Sequence, residues 1–335
     1  MRIGVLEAGG TKMVCAVGDE NGQILERVSI ATGKPEETMP DILEFFHQYS
    51  LDAIGIGTFG PVDLDRTSPT YGYIMSTPKI PWRNFDLLGC IKKEFMLPIG
   101  LDTDVNASAI GEATYGVTKG LDSSIYITVG TGIGVGVILD GKAVHGMQHP
   151  EAGHILLSRH PEDTYAGRCP YHGNCLEGLA SGPAIEERFG RKAKELPVDS
   201  VAWEIESYYL AQALVDFTLT YSPKRIVLGG GVMHQKQLFA MIREKYKKML
   251  NHYVDTPYVR DLDNYIVPYS LNDDQGIMGC ITIECDIKYK KLPKAAFYIL
   301  RGCFSFDKSW LYNDVLNRFT ACLPVNAALI NLMRN

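Results

Sequence analysis

The sequence predicts an α/β protein of two related halves that bind ligands in the cleft between them. Three observations carry this prediction. Stretches with the two-residue period of strands alternate along the chain with stretches of helical period. A glycine corner between strands occurs twice, at Gly9-Gly10-Thr11 and at Gly130-Thr131-Gly132, about 120 residues apart. A third cluster, Gly229-Gly230-Gly231, stands where a strand hands over to a helix, a place where backbone can approach a nucleotide.

At 335 residues the chain is long enough for two cores. Hydrophobic residues make up 46% and charged residues 21%, a soluble globular composition that argues against disorder. The longest apolar run, "IYITVGTGIGVGVIL", is short for a bilayer and punctuated by glycine, and the charge at Glu7 argues against a signal peptide, so a cytoplasmic protein without a membrane partner is expected. A net charge of -6 argues against nucleic acid and leaves small molecules as the expected partners. The eight cysteines are scattered except for Cys169 and Cys175, and read as packed thiols with that pair as the exception.

The opening, "RIGVLEAGGTKMVCAVGDENGQILERVSI", reads as three strands joined by the first glycine corner and an Asn21-Gly22 turn, whose residues tolerate positive φ. The stretch "SSIYITVGTGIGVGVILDGKAVHG" repeats the plan with the second corner and an Asp140-Gly141 turn. Between them lie an amphipathic segment ("MPDILEFFHQYS"), a buried-type strand ("AIGIGTFGPV"), and "PIGLDTDVNASAIGEATYG", read as a strand that gives way at Asp102 to Asp104 to a helix. The second half continues with a long helix over "SVAWEIESYYLAQALVDFTLTYS" ended by Pro223, the strand "KRIVLGGGV", and the helix "KQLFAMIREKYKKMLNHY".

The chemistry is carried by four features. "EAGGTK" lacks the spacing of a Walker A loop, and "GTGIGVG" alternates glycine at period two, which suits a strand and not a G-x-G-x-x-G turn. The two corners can instead face each other, each offering backbone N-H groups and a threonine hydroxyl to a polyphosphate. "DTDVN" places Asp102 and Asp104 at a strand end, where one carboxylate can accept a hydroxyl proton during phosphoryl transfer and either can be a helix cap. "CPYHGNC" offers Cys169, His172 and Cys175 on one loop, with His154 or His160 as the fourth ligand of a tetrahedral zinc. Four protein ligands close such a site, so the zinc is expected to be structural, with Glu151 close enough to join the free nitrogen of His154 in orienting a ligand.

Nine segments in register resemble the ROK family of sugar kinases and, more narrowly, its bacterial fructokinases: "EAGGTK", "GTFGPVDL", "TPKIPWRNFDL", "DTDVNASAIGE", "TVGTGIGVG", "EAGHI", "CPYHGNCLEGLASGPAI", "IVLGGGV" and "NDDQGIMG". The resemblance spans Met1 to Cys285. It implies an actin-like ATPase fold, with an N-terminal domain over 1–115, a C-terminal domain with the zinc loop and nucleotide site over 116–285, and a homodimer. It implies phosphorylation of fructose by ATP with magnesium, Asp104 as general base, and Asn106, Glu151, His154 and Glu177 on the sugar. Zinc falls to His154, Cys169, His172 and Cys175, and the nucleotide to Gly10, Thr11, Lys12, Thr131, Pro183, Gly229, Gly230 and Gly231.

Where this chain has Glu7 many family members have Asp, and "CPYHGNC" differs from the three-cysteine loop of many ROK glucokinases; both departures favour fructose over glucose. With no helix-turn-helix ahead of Met1, the family's repressor branch is disfavoured. Residues 286–335 match nothing in the family. They hold eight Lys and Arg against three Asp and Glu, a local charge of +5 that leaves -11 on the 285 residues before them, and are read as a separate basic extension of unassigned role.

Overall fold

The computed structural model describes residues 1–283, so the basic extension predicted over 286–335 lies outside the described residues. Two five-stranded sheets with one plan organise the rest. In the first, β1 (Ile3–Ala8), β2 (Lys12–Gly18) and β3 (Ile24–Ala31) form an antiparallel meander. After α1 (Pro35–His47), β4 (Ala53–Thr58) pairs parallel to β1. A small hairpin, β5 (Tyr73–Ile74) and β6 (Phe85–Asp86), and α2 (Leu87–Glu94) lead to β7 (Ile99–Thr103), which pairs parallel to β4. The order is β3-β2-β1-β4-β7, and Leu6, Ile56 and Leu101 form one buried rung across the three parallel strands.

Helix α3 (Asp104–Thr114) crosses to the second sheet, which begins with β8 (Ser124–Val129), β9 (Ile133–Leu139) and β10 (Lys142–Ala143). A long, mostly irregular connection carries a 3-10 turn at Ala152–His154 and ends in α4 (Leu176–Ala180) and α5 (Gly182–Phe189). Then come α6 (Val201–Tyr221), β11 (Ile226–Gly229), α7 (Gln237–Leu250), α8 (Pro257–Arg260), α9 (Leu262–Tyr265), β12 (Ile266–Pro268) and α10 (Gln275–Thr282). The order β10-β9-β8-β11-β12, with β8, β11 and β12 parallel, repeats the first sheet strand for strand and realises the internal repeat.

The two predicted turns are built differently. Asp140 and Gly141 both take positive φ, as a tight two-residue hairpin requires. At the other, only Gly22 does, because the Asp19 carboxylate accepts from the N-H groups of Asn21 and Gln23 and closes a wider loop. Helix α1 starts earlier than the amphipathic segment suggested: Pro35 occupies its first turn and the Glu37 carboxylate accepts from the N-H of Lys34.

Helix α6 is buried through most of its circumference, with Trp203, Tyr209, Leu210, Leu214 and Phe217 in the second core. It starts at Ser200, whose hydroxyl accepts from Ala202 N-H, and stops at left-handed Ser222 ahead of Pro223. No helix among the described residues is long and apolar enough to cross a membrane.

Helix α3 is wedged between the sheets, touching β4 and β7 on one side and β8 and β9 on the other. This contact explains the alternating glycines of β9: a Cβ at Gly136 would lie 2.3 Å from the Val105 carbonyl oxygen and 2.9 Å from Ala109 Cβ. Helix α10 returns to the first half and packs on α3, β1 and β4.

Candidate functional site

The ends of β1, β4, β7 and β8, the N-terminus of α3 and the connection after β10 form the site. Thr103 caps α3, its hydroxyl accepting from Asn106 N-H. The two aspartates of "DTDVN" are thereby given different surroundings. Asp102 is 5% exposed and its carboxylate accepts from Thr103 N-H at 2.8 Å and Asn106 Nδ2 at 2.7 Å, with His145 Nε2 at 3.0 Å. Asp104 is half-buried, and one oxygen accepts from Val105 N-H at 2.9 Å. Burial pushes its carboxyl up to about 7; the charge of Glu7 adds to the rise, Val105 N-H opposes it, and Glu151 adds a smaller part. Asp102 is thus engaged in structure, whereas Asp104 combines an accessible oxygen with a proton affinity near neutrality.

Asn106 lies 1% exposed beneath the site, bound through Nδ2 to Asp102, with its own Oδ1 lacking a hydrogen-bond partner. Glu7, one residue before the end of β1, is likewise pushed up to about 7 by burial, against the charge of Lys12 and with that of Asp274 and Asp273.

The glycine positions gather on two sides. Gly10, Thr11 and Lys12 form the corner between β1 and β2, closed by Gly9 N-H donating to the Lys12 carbonyl. Above it stands Lys79: a Cβ at Gly10 would lie 2.7 Å from Lys79 Cε and 3.4 Å from Nζ. The Lys79 loop is held by Trp82, whose ring N-H donates to the Gly33 carbonyl, and by Arg83, whose Nε donates to the Thr77 carbonyl. Across the second sheet, Thr131 stands exposed on its corner, Gly182 N-H donates to the Gly130 carbonyl at 2.8 Å, and Pro183 follows in the first turn of α5. Gly229 ends β11; Gly230 takes φ +87 and presses on the Val129 backbone, where a Cβ would meet the carbonyl oxygen at 2.5 Å; Gly231 faces open space. A bare backbone cradle of three segments results.

Glu151, His154 and Glu177 converge from the 3-10 turn and α4. Glu177 accepts from Ile133 N-H at 2.9 Å, tying the start of β9 to α4, and its other oxygen lies 4.0 Å from His154 Nε2. Glu151 is pushed up to about 7 by burial and then by the charge of Glu177.

The Cys/His loop folds as a hairpin in which Cys169 and Gly173 exchange backbone hydrogen bonds, and Cys175 caps α4 through Sγ. Pairing of Leu156 with Cys175 brings in His154. Cys169 Sγ lies 3.7 Å from His154 Nδ1 and 3.6 Å from His172 Nδ1, Cys175 Sγ lies 3.5 Å from His154 Nδ1, and the four ligand atoms are mutually within 4.8 Å. Tetrahedral zinc with ordinary bond lengths puts sulfur and nitrogen about 3.6 Å apart. Burial pushes the Cys175 thiol up to about 11, so a thiolate there needs a cation beside it. The donor set therefore fits zinc. His160, the alternative fourth ligand, is turned elsewhere: its Nδ1 accepts from Glu162 N-H and its ring packs edge-on to Tyr208.

Sequence reasoning did not assign Glu7, Lys79, His145 or His149 to the site. Each sat in a quoted segment or beside one, but as a single residue with no spacing signal. The connection after β10 is where two are found. His145 docks on Asp102, and His149, 4% exposed, accepts from Val62 N-H at 3.2 Å, binding the second half to the loop after β4.

With this geometry established, comparison with known proteins adds the following. The ROK family profile matches residues 3–286. A fructokinase of Pediococcus pentosaceus is 49% identical over 279 residues, 83% of this chain and 96% of that protein. A fructokinase of Streptococcus mutans serotype c is 47% identical over 269 residues, 79% of this chain and 90% of that protein. Among solved structures, the ROK hexokinase of Thermus thermophilus superposes with a TM-score of 0.67 at 27% identity, covering 84% of this chain and 97% of that one.

Proposed function

The chain belongs to the ROK family of sugar kinases, and from that membership we propose that it transfers the γ-phosphoryl group of ATP to the 6-hydroxyl of fructose. The observation that carries the mechanism is Asp104, raised to about 7 at the N-terminus of α3 with an oxygen left accessible. A base with a proton affinity near the working pH is suited to take the hydroxyl proton as the oxygen-phosphorus bond forms and the bond from γ-phosphorus to ADP breaks. Glu151, Glu177 and the free nitrogen of His154 receive sugar hydroxyls, and a site built from such groups rejects sugars that leave them unpaired.

ATP lies on the cradle of Thr131, Pro183 and Gly229 to Gly231, with its terminal phosphates toward Gly10, Thr11 and Lys12 and with Lys79 as a second cation there. Magnesium, arriving with ATP, neutralises phosphate charge and keeps most of its waters. His154, Cys169, His172 and Cys175 would hold zinc, which would favour the thiolate form of the two cysteines and fix the loop that positions His154 and Glu177. The two sheets are the cores of two lobes, with α10 belonging to the first, that close on both substrates.

The test is turnover of ATP by the purified chain in magnesium buffer with fructose, glucose or mannose. Fructose-dependent ADP formation is expected, with kcat/KM highest for fructose. Preference for another hexose replaces the substrate, and no turnover with any sugar overturns the reading.

A further inference from the structure

We propose that His149 is a positioning residue for Glu151: the backbone N-H of Val62 holds its imidazole in the one tautomer that turns an N-H toward the sugar-binding carboxylate. The inference rests on the reading of Glu151 as a sugar contact. It adds that a loop of the first sheet dictates how that carboxylate is presented.

The argument starts from the donor and acceptor inventory of a neutral imidazole, one N-H and one bare nitrogen. Val62 N-H donates to Nε2 at 3.2 Å, so Nε2 is the bare one and Nδ1 carries the proton. Nδ1 faces Glu151 Oε1 at 3.6 Å, longer than a hydrogen bond and in the range that tightens in working complexes, with the Pro150 carbonyl as a second acceptor beside the ring. At 4% exposure the ring has little access to water as an alternative partner. Burial also holds its pKa below the usual histidine value, against the charge of Asp102, which keeps the ring neutral.

Packing makes the three groups one unit. A Cβ at Gly60 would lie 3.0 Å from His149 Cε1 and 3.1 Å from Glu151 Oε1, so a side chain there would need the pair to shift by a few tenths of an ångström from the loop after β4. His145, four residues before His149, docks on Asp102 at the end of β7 and anchors the same connection a second time. Shortening of the 3.6 Å contact would give one carboxylate oxygen an N-H and leave the other for a sugar hydroxyl, the arrangement by which a supporting hydrogen bond orients a binding group.

Two substitutions in the full chain separate the two bonds. In His149→Asn the amide nitrogen occupies the place of Nδ1 and keeps a donor for Glu151. In His149→Gln the amide oxygen reaches the place of Nε2 and keeps the acceptor for Val62, while its NH2 sits away from the Nδ1 place that faces Glu151. The expected result is a KM for fructose raised about tenfold in His149→Gln with kcat within about twofold, and a KM within about threefold of the parent in His149→Asn. Equal losses in both variants, or none in either, overturn the proposal in favour of plain packing. Nitrogen-15 spectra of the histidine rings in the unaltered protein give a test independent of folding: a protonated Nδ1 and bare Nε2 for His149 are expected, and the opposite tautomer or an imidazolium at neutral pH overturns it. If the unaltered chain turns over no sugar, the functional reading fails, while the tautomer measurement still decides the coupling of His149 to Val62.

Discussion

Replacing Asp104 by asparagine should produce a poorer enzyme that is, above neutral pH, a more stable protein. Its carboxyl is raised to about 7 by burial, then by the charge of Glu7, whereas in the unfolded chain it titrates near 3.9. A folded pKa above the unfolded one means that the stabilising contribution is complete below about pH 4 and is lost as pH rises through about 7. A difference of about 3 pKa units sets a ceiling of ~4 kcal/mol for the ionised group. Because one oxygen is accessible and solvent screens it, ~1–2 kcal/mol is the working figure. The asparagine side-chain oxygen can still accept from Val105 N-H, so that bond in the first turn of α3 is kept.

In a chain of this size ~1–2 kcal/mol corresponds to a rise of about 2–3 °C in Tm. The assay is thermal unfolding of both proteins at pH 8.5 and at pH 5, together with kcat for fructose. The variant should melt higher at pH 8.5, show about a third of that gain at pH 5, and lose about 10²- to 10⁴-fold in kcat. No gain at pH 8.5, or a gain independent of pH, would refute the claim that a desolvated charge sits at this position. Unchanged kcat would remove Asp104 as the base.

Since Asp104 is raised to about 7 and acts ionised, kcat/KM should climb with pH and level off above about 7, being about tenfold below its plateau at pH 6; a flat profile between pH 5.5 and 8 contradicts this. One zinc per chain is expected by metal analysis of the purified protein, absent in Cys169→Ser/Cys175→Ser, with a lower Tm after chelation; full stability without metal counts against the site. Gly136→Val should push α3 away from β9, because its Cβ would lie 2.3 Å from the Val105 carbonyl. A loss of ~1–3 kcal/mol in urea unfolding and a drop of about 100-fold in kcat are expected, and wild-type values for both would show that α3 is not clamped there.

The architecture was legible wherever a period or a turn residue carried it. The duplicated glycine corners announced the duplicated sheets, and Pro223 marked the end of α6. What stayed hidden depends on contacts between distant residues. The glycines of β9 identified a strand without revealing that α3 lies across it, and α10 has an apolar face that does not say which sheet it will cover. Asp102 and Asp104 were indistinguishable as letters, and their surroundings separate them, since His145 reaches Asp102 from 43 residues away. His149 joins Val62 across 87 residues, a pairing with no local sequence signature.

Those hidden contacts share a physical logic. Glu7, Asp104 and Glu151 come from a strand end, a helix start and an irregular connection, and each is raised to about 7 by burial, two of them partly by another carboxylate of the three or by Glu177. Such a group of acids is unfavourable in the free protein, and the apolar cores of the two sheets must hold it in place. Lys12 and Lys79 stand at the first glycine corner, where the charge of Lys12 opposes the rise of Glu7, and the histidines of the β10 connection secure the other side through the bond of His145 to Asp102 and that of Val62 N-H to His149. Burial and the charges of Glu7 and Glu151 together give Asp104 its high proton affinity, the property that the proposed general base needs.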